Sequence, residues 1–203
     1  MEFADEFKTI SKASPEVLFK EKGSKFLGYA FPISSEEEVT PILQELKEKH
    51  HKARHWCYAW RLGVETDTFR ANDDGEPNNS AGQPIYGQIL SFELTNILVV
   101  VVRYFGGTKL GVGGLVQAYK TAANLALESS SIIQKTVNVF FEIEFDYIDM
   151  NRIMRVIKEE NISIIEQKME MSCCFKISIR KKEAQNIRNK IENLRCARIT
   201  ELE

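Results

Sequence analysis

The sequence predicts an α+β protein of two domains, covering residues 1–133 and 137–203. All 11 glycines lie between Gly23 and Gly114, and all five prolines precede residue 85, so turns are concentrated in the first part of the chain. The second part carries strand and helix patterns in the order β-α-β-β-α-β, which is the order of a ferredoxin-like domain. The two parts are predicted to join near residues 133–137, where the regular pattern of the second part begins.

The first part alternates strand and helix signals. Strands are predicted where apolar and polar residues alternate or where a short apolar run occurs, over 16–22, 25–33, 55–64 and 96–105. Helices are predicted within 36–50 and over 84–92 and 112–130, with a loop over 72–84. For the first helix, Ser35 with Glu38 offers a capping box, and Thr40-Pro41 offers a competing start.

The second part is more regular. Its strands are predicted over 136–145, 163–169, 173–180 and 196–202, and its helices over 149–160 and 182–194. Because the second strand follows a helix and the third follows a turn, this order predicts a four-stranded sheet covered by two helices.

Composition limits the class of protein. The net charge of −2 is too balanced to indicate nucleic acid or a membrane by itself. The longest apolar run has six residues, Ile97 to Val102, whereas a membrane-spanning helix needs about 20. The acidic first residues lack the pattern of a signal peptide, and the four cysteines form no disulfide framework. We therefore expect a cytoplasmic protein with reduced thiols and no membrane contact.

A glycine-rich loop follows the apolar strand and precedes the long helix. Its glycines are Gly106, Gly107, Gly111, Gly113 and Gly114. Backbone N–H groups at a helix N-terminus attract anions, and Arg103 and Lys109 add mobile positive charge, so a phosphate is the candidate ligand. The alternative is that the glycines only let the helix pack closely against the sheet. The P-loop pattern is absent, because Val112-Gly113 stands where lysine and serine or threonine are required.

The loop over 72–84 contains three carboxylates, Asp73, Asp74 and Glu76. Such a group binds magnesium or serves acid–base chemistry in some proteins. In others it is a solvated turn, in which aspartate and asparagine side chains hydrogen-bond to their own backbone. We predict no metal for this chain, and we name Asp74, Glu76 and Ser80 as contributors to the loop.

A basic and aromatic segment, His50 to Cys57, leads into the third predicted strand. His51 and His55 are four residues apart, but they do not complete a zinc motif, because Lys52 stands where that motif has glutamate. A Cys57–His55 nucleophile pair is one alternative. Stacking of Arg54, His55 and Trp56 on RNA is another.

Positive charge is concentrated in the second part, where residues 150–198 contain 12 basic residues against 6 acidic ones. Lys181, Lys182 and Arg188 lie on the last helix or at its start, where they would follow a phosphate backbone. The alternative is that they are ordinary exposed helix residues.

Three motifs in order resemble the IMPACT family, in its bacterial branch. They are His-Lys-Ala-Arg-His-Trp-Cys-Tyr-Ala-Trp-Arg at 51–61, Asp-Asp-Gly-Glu-Pro at 73–77 with Ala-Gly-Gln-Pro-Ile at 81–85, and Val-Arg-Tyr-Phe-Gly-Gly-Thr-Lys-Leu-Gly-x-Gly-Gly-Leu-x-x-Ala-Tyr at 102–119. The sequence departs from the family pattern at Asn78-Asn79, although Ser80 keeps the hydroxyl group.

The resemblance implies a fold and a process. It implies an N-terminal βαβ domain similar to domain IV of elongation factor G and to GHMP kinases. It also implies a C-terminal ferredoxin-like domain similar to domain V of that factor, a module that meets ribosomal RNA. Eukaryotic members of the family are translation regulators.

These observations lead to one preferred function and two alternatives. We expect a non-catalytic regulator of translation that binds RNA or the ribosome and carries no cofactor. An enzyme acting on a nucleotide or phosphorylated small molecule is the first alternative, with the glycine-rich loop holding phosphate. A module that binds a protein partner in translation control is the second.

Overall fold

A computed structural model describes residues 5–64 and 67–202. The first four residues, on which the signal-peptide argument partly depends, lie outside this range. The chain divides into two compact units, residues 7–135 and residues 136–202, and Asp5 and Glu6 group with the second unit. Arg180 of the second unit forms ion pairs with both Asp5 and Glu6.

The N-terminal unit is built on a five-stranded antiparallel sheet. Its strands are β2 (Val17–Glu21), β3 (Ser24–Pro32), β4 (His55–Leu62), β5 (Thr68–Asn72) and β6 (Ile97–Tyr104). Their order in the sheet is β2-β3-β6-β4-β5. The helices are α1 (Val39–Lys49), α2 (Gly82–Ser91) and α3 (Gly111–Glu128). Since β3 and β4 each pair antiparallel with β6, they run parallel to each other and α1 connects them as a βαβ unit with β6 between its strands.

Strand β6 is the centre of this unit. Every residue from Ile97 to Arg103 is buried, as the continuous apolar run predicts. Its side chains alternate between two cores: Val99 and Val101 pack in the core that contains α2 and α3, and Val100 and Val102 pack in the core that contains α1. The sheet is therefore covered on both faces.

Close approach between α3 and the sheet depends on Gly28 in β3. A Cβ atom at Gly28 would lie 2.5 Å from the carbonyl oxygen of Ala122 in α3. The absence of a side chain at Gly28 therefore allows α3 to pack closely against the sheet. The sequence had offered the glycine-rich loop as a candidate for this role.

The C-terminal unit has the element order predicted for a ferredoxin-like domain. Its strands are β8 (Asn138–Asp146), β9 (Ser163–Lys168), β10 (Ser172–Arg180) and β11 (Ala197–Leu202), and its helices are α4 (Met150–Glu159) and α5 (Lys181–Asn193). The sheet order is β11-β8-β10-β9, with the first and third strands of the unit at the centre. Apolar residues of both helices, such as Ile153 and Ile191, pack against Phe141, Ile143 and Phe175.

The structure adds three strands that the sequence did not predict. They are β5 and the pair β1 (Glu6–Ile10) and β7 (Ile132–Thr136), which form a two-stranded sheet. The capping box of Ser35 and Glu38 begins a 3-10 turn over 36–38 that leads into α1, so it takes precedence over the start at Thr40-Pro41. In the residues that the structure describes, no helix is long and apolar enough to cross a membrane.

Candidate anion-binding site

The loop between β5 and α2 is organised by the side chain of Asp73. Its Oδ1 accepts hydrogen bonds from the backbone N–H groups of Ala81 at 2.9 Å and Gly82 at 2.8 Å, and its Oδ2 accepts one from Asn79 at 2.8 Å. These N–H groups lie at and before the first turn of α2 and have no helical partner of their own. Asp73 therefore closes the loop and caps the helix.

Asp74 and His55 connect this loop to β4. The Nδ1 atom of His55 donates to the backbone carbonyl of Asp74 at 2.9 Å, which leaves Nε2 on the opposite side of the ring, 3.9 Å from Oε1 of Glu76. The Oδ2 atom of Asp74 accepts a hydrogen bond from the backbone N–H of Trp56 at 2.7 Å. These two hydrogen bonds hold the loop against β4. They are made by His55 and Asp74, which the sequence had already indicated as candidate site residues.

Glu76, Arg103 and Tyr119 form a buried polar cluster. Oε1 of Glu76 accepts from Nη1 of Arg103 at 2.5 Å and from the Tyr119 hydroxyl at 2.8 Å. The Tyr119 oxygen in turn accepts from the Cys57 thiol at 3.3 Å, and the same thiol lies 3.0 Å from the carbonyl oxygen of Asp73. Three segments distant in the sequence thus meet at one carboxylate.

Burial affects the Cys57 thiol and the Tyr119 hydroxyl of this region. It raises the pKa of the Cys57 thiol well above its usual range, and it does the same for the Tyr119 hydroxyl. A thiol held in its protonated form is a weak nucleophile. The alternative of a Cys57–His55 nucleophile pair is therefore not supported, and Cys57 acts as a buried hydrogen-bonding residue.

A cavity of about 360 Å³ lies beside this cluster. Its buried lining includes Glu76, Arg103 and Leu115, and its exposed lining includes Phe105, Lys109 and Val112. The cavity thus combines apolar surface with two cations and one carboxylate that is already paired. Because Glu76 offsets only one of the two cations, the charged side chains that line the cavity have a net positive charge.

Arg103 has an unusual environment in this cavity. Its guanidinium carbon lies 5.4 Å from the ring centre of Phe26 and 5.7 Å from that of Phe105, within the range of cation–π interactions. Its side chain is 7% exposed, and among the described residues its Nε atom is buried without a hydrogen-bond partner. The prediction of a mobile charge at Arg103 is therefore wrong, because packing and the ion pair with Glu76 hold it in place.

The loop glycines serve different purposes. A Cβ atom at Gly106 would lie 1.9 Å from the backbone of Gly23, so Gly106 is required for packing. Gly107 and Gly111 have φ values of +89° and +72°, which favour glycine. Gly113 needs glycine neither for packing nor for its φ value, because a Cβ there meets nothing within 4 Å. A Cβ at Gly114 would lie 3.1 Å from the Cβ of Leu110, which is a tight contact. Helix α3 begins at Gly111, its N-cap residue Leu110 forms no side-chain capping hydrogen bond, and Lys109 is exposed just before it.

The carboxylates of the 72–84 segment do not form a metal site. Asp73, Asp74 and Glu76 accept hydrogen bonds from the protein, as described above, and within residues 5–64 and 67–202 no group of three or more metal-binding side chains converges. Ser80 is buried and donates to the Pro77 carbonyl at 2.6 Å, so its hydroxyl supports the loop. These donors and acceptors match a hydrogen-bonded turn, not the magnesium alternative.

The remaining predicted residues lie elsewhere. Arg54 is exposed and lies just before β4. Lys181 and Arg188 line a separate cavity of about 180 Å³ in the C-terminal unit, and Arg188 pairs with Glu192 at 3.0 Å. Lys182 is exposed on α5.

The structure also brings in residues that the sequence analysis did not assign to the site. Tyr119, Phe26 and Phe105 contact Glu76 or Arg103. Tyr119 and Phe105 belong to the third sequence motif, but no local pattern shows that they meet Arg103 and Glu76.

The fold and the cavity define a two-unit α+β protein whose N-terminal unit carries a buried Arg–Glu pair beside a glycine-rich loop. A family model described as the Impact N-terminal domain matches residues 22–127. The chain therefore belongs to the IMPACT family, as its motifs indicated.

Two relatives agree with this family assignment, and a solved structure shares the fold. An IMPACT family member of Haemophilus influenzae is 33% identical over 155 residues, which are 74% of this chain and 75% of that protein. The IMPACT family member YvyE of Bacillus subtilis is 30% identical over 175 residues, which are 86% of this chain and 80% of that protein. A crystal structure described as that of a hypothetical protein has the same fold, with 24% identity, a TM-score of 0.71 and 98% coverage of both chains.

Proposed function

We propose that this protein is a non-catalytic, cytoplasmic regulator of translation that binds RNA or the ribosome. Membership of the IMPACT family supports the process, since the resemblance implies that eukaryotic members regulate translation. The proposed molecular function, binding of RNA or the ribosome, is supported by the positively charged cavity at the glycine-rich loop.

The observation that carries the proposal is the arrangement of charge in that cavity. Arg103 contributes a fixed cation whose only ion-pair partner among the described residues is Glu76, and Lys109 contributes an exposed cation with none there. The N-terminus of α3 adds backbone N–H groups, and its N-cap residue, Leu110, forms no capping hydrogen bond with its side chain. A phosphate group has the negative charge and the acceptor oxygens that suit Arg103, Lys109 and the N–H groups at the start of α3.

A second contact surface is proposed on the C-terminal unit. Lys181, Lys182 and Arg188 lie on the first two turns of α5 in a region where basic residues exceed acidic ones. Such a face follows a phosphate backbone without reading its sequence.

Co-sedimentation of the full chain with ribosomes across a salt series tests the proposal. We expect pelleting at low salt that declines as salt rises, because released counterions drive such binding. Lys109→Gln should weaken binding and lower the slope of log affinity against log salt by about 0.7–0.9.

Lys120→Gln is the matched control, since Lys120 is an exposed lysine farther along α3 that does not line the cavity. Lys182→Gln tests the second surface in the same assay. Absence of pelleting at every salt concentration would contradict the proposal and favour a protein partner.

A further inference from the structure

We propose that the cavity beside the glycine-rich loop binds one unpaired nucleotide of RNA, with its base against Phe105 and its phosphate at Lys109 and the start of α3. This inference rests on the proposed function and specifies it. It distinguishes single-stranded RNA from duplex RNA as the ligand of the N-terminal unit.

The aromatic ring of Phe105 supplies the first argument. Phe105 is 46% exposed, although it is a large apolar residue, and its ring already lies beside the guanidinium of Arg103. The row Phe26–Arg103–Phe105 alternates ring, cation and ring, so a base placed on the exposed side of Phe105 extends it. Bases of unpaired RNA stack on aromatic rings and guanidinium groups in this manner.

The composition of the lining supplies the second argument. Val112, Leu115 and Phe105 give the cavity an apolar wall, while Lys109 and Arg103 give it positive charge. An inorganic phosphate would leave the apolar wall unused, and an apolar ligand would leave the charges unused. A nucleotide has an apolar face and an anionic group, so it matches both parts of the lining.

Arg103 supplies the third argument. Its side chain is more than nine-tenths buried and lines the cavity, yet its guanidinium makes a single hydrogen bond within the described residues, from Nη1 to Glu76. A buried guanidinium normally forms more hydrogen bonds than this. A ligand oxygen or ring nitrogen in the cavity would accept a hydrogen bond from the Nη1 or Nη2 N–H groups that the described residues leave unpaired, whereas the buried Nε stays without a partner among them.

The size of the cavity sets the limit on the ligand. A volume of about 360 Å³ is in the lower part of the range for small-ligand sites, roughly 300–1,000 Å³. One nucleotide is a ligand of this class. A base in a duplex is paired and stacked, so duplex RNA cannot place one there without unpairing it.

Fluorescence anisotropy with labelled RNA tests this inference. The full chain is titrated with a six-nucleotide single strand and with the same strand in a blunt duplex. We expect tighter binding of the single strand, and about tenfold weaker binding of that strand by Phe105→Leu, because stacking on one aromatic ring is lost. Phe69→Leu is the control, since Phe69 is 51% exposed in the same unit and does not line the cavity.

The outcomes separate this inference from the proposed function. Selective loss of single-strand affinity in Phe105→Leu, with normal affinity in Phe69→Leu, supports the nucleotide site. Equal affinity for both RNAs, or no effect of Phe105→Leu, overturns it, and salt-sensitive ribosome pelleting then leaves the proposed function standing. Absence of both RNA binding and ribosome pelleting overturns both proposals. Thermal unfolding of each variant confirms that it is folded.

Discussion

Arg103 and Glu76 form a buried ion pair, with 2.5 Å between Nη1 and Oε1 and both side chains less than one-tenth exposed. The two residues come from the end of β6 and from the loop after β5. Their pairing joins the glycine-rich loop to the Asp-Asp-Gly-Glu-Pro segment, so two motifs that are separate in the sequence form one structural site.

Removing one member of this pair should strongly destabilise the N-terminal unit. Glu76→Ala leaves the Arg103 charge buried without its partner, and we expect the free energy of unfolding to fall by about 3–5 kcal/mol. Urea denaturation followed by circular dichroism measures the change. Replacing both residues, as Glu76→Leu with Arg103→Leu, should recover part of the loss, and a double variant as unstable as the sum of its single variants would contradict the coupling.

The loop glycines should differ in their effect on stability. Gly113→Ala is expected to raise the free energy of unfolding by up to about 1 kcal/mol, because alanine favours a helix and its Cβ meets open space. Gly107→Ala should lower it by roughly 1–2 kcal/mol, because the φ of +89° is unfavourable for alanine. Thermal denaturation of both variants checks this, and destabilisation by Gly113→Ala would indicate a packing role for that glycine.

The four cysteines should react in two groups. Cys57 and Cys173 are fully buried, and burial raises the pKa of Cys57, so we expect neither to be labelled by iodoacetamide in the folded protein. Cys174 and Cys196 are partly exposed and should be labelled first. Mass spectrometry of peptides from folded and urea-unfolded protein measures the order. Early labelling of Cys57 would reopen its interpretation as a nucleophile.

Glu16 should contribute to acid sensitivity. The hydroxyl of Tyr29 donates to its carboxylate and Lys49 pairs with it at 2.9 Å, and these contacts lower the pKa of Glu16 from its usual value. A carboxyl group whose pKa is lowered by folding stabilises the protein above the unfolded-state pKa, and this contribution disappears as pH falls through the folded-state pKa.

We therefore expect Glu16→Gln to be less stable than the unchanged chain at pH 7. The difference should shrink progressively below about pH 4.5, as the carboxyl of the unchanged chain becomes protonated. Chemical denaturation from pH 3 to pH 7 measures it. Glu45→Gln, an exposed residue of α1, is the control, and a difference that does not change with pH would contradict the assignment.

The sequence by itself determined the elements that depend on local pattern. In the C-terminal unit every predicted strand and helix is present, with ends shifted by at most two residues. The strand β6 and the helices α1 and α3 were likewise evident, because apolar periodicity is a property of consecutive residues. The family also followed from three motifs that can be read directly.

Tertiary structure decided what depends on residues far apart in the chain. Strands β1 and β7 were missed because they are stabilised by pairing with each other across more than 120 residues, which no local pattern shows. The sequence indicated a mobile positive charge at Arg103, whereas Glu76, Phe26 and Phe105 fix this residue in a buried position. Burial and pairing arise only when distant segments pack together, so no local pattern encodes them.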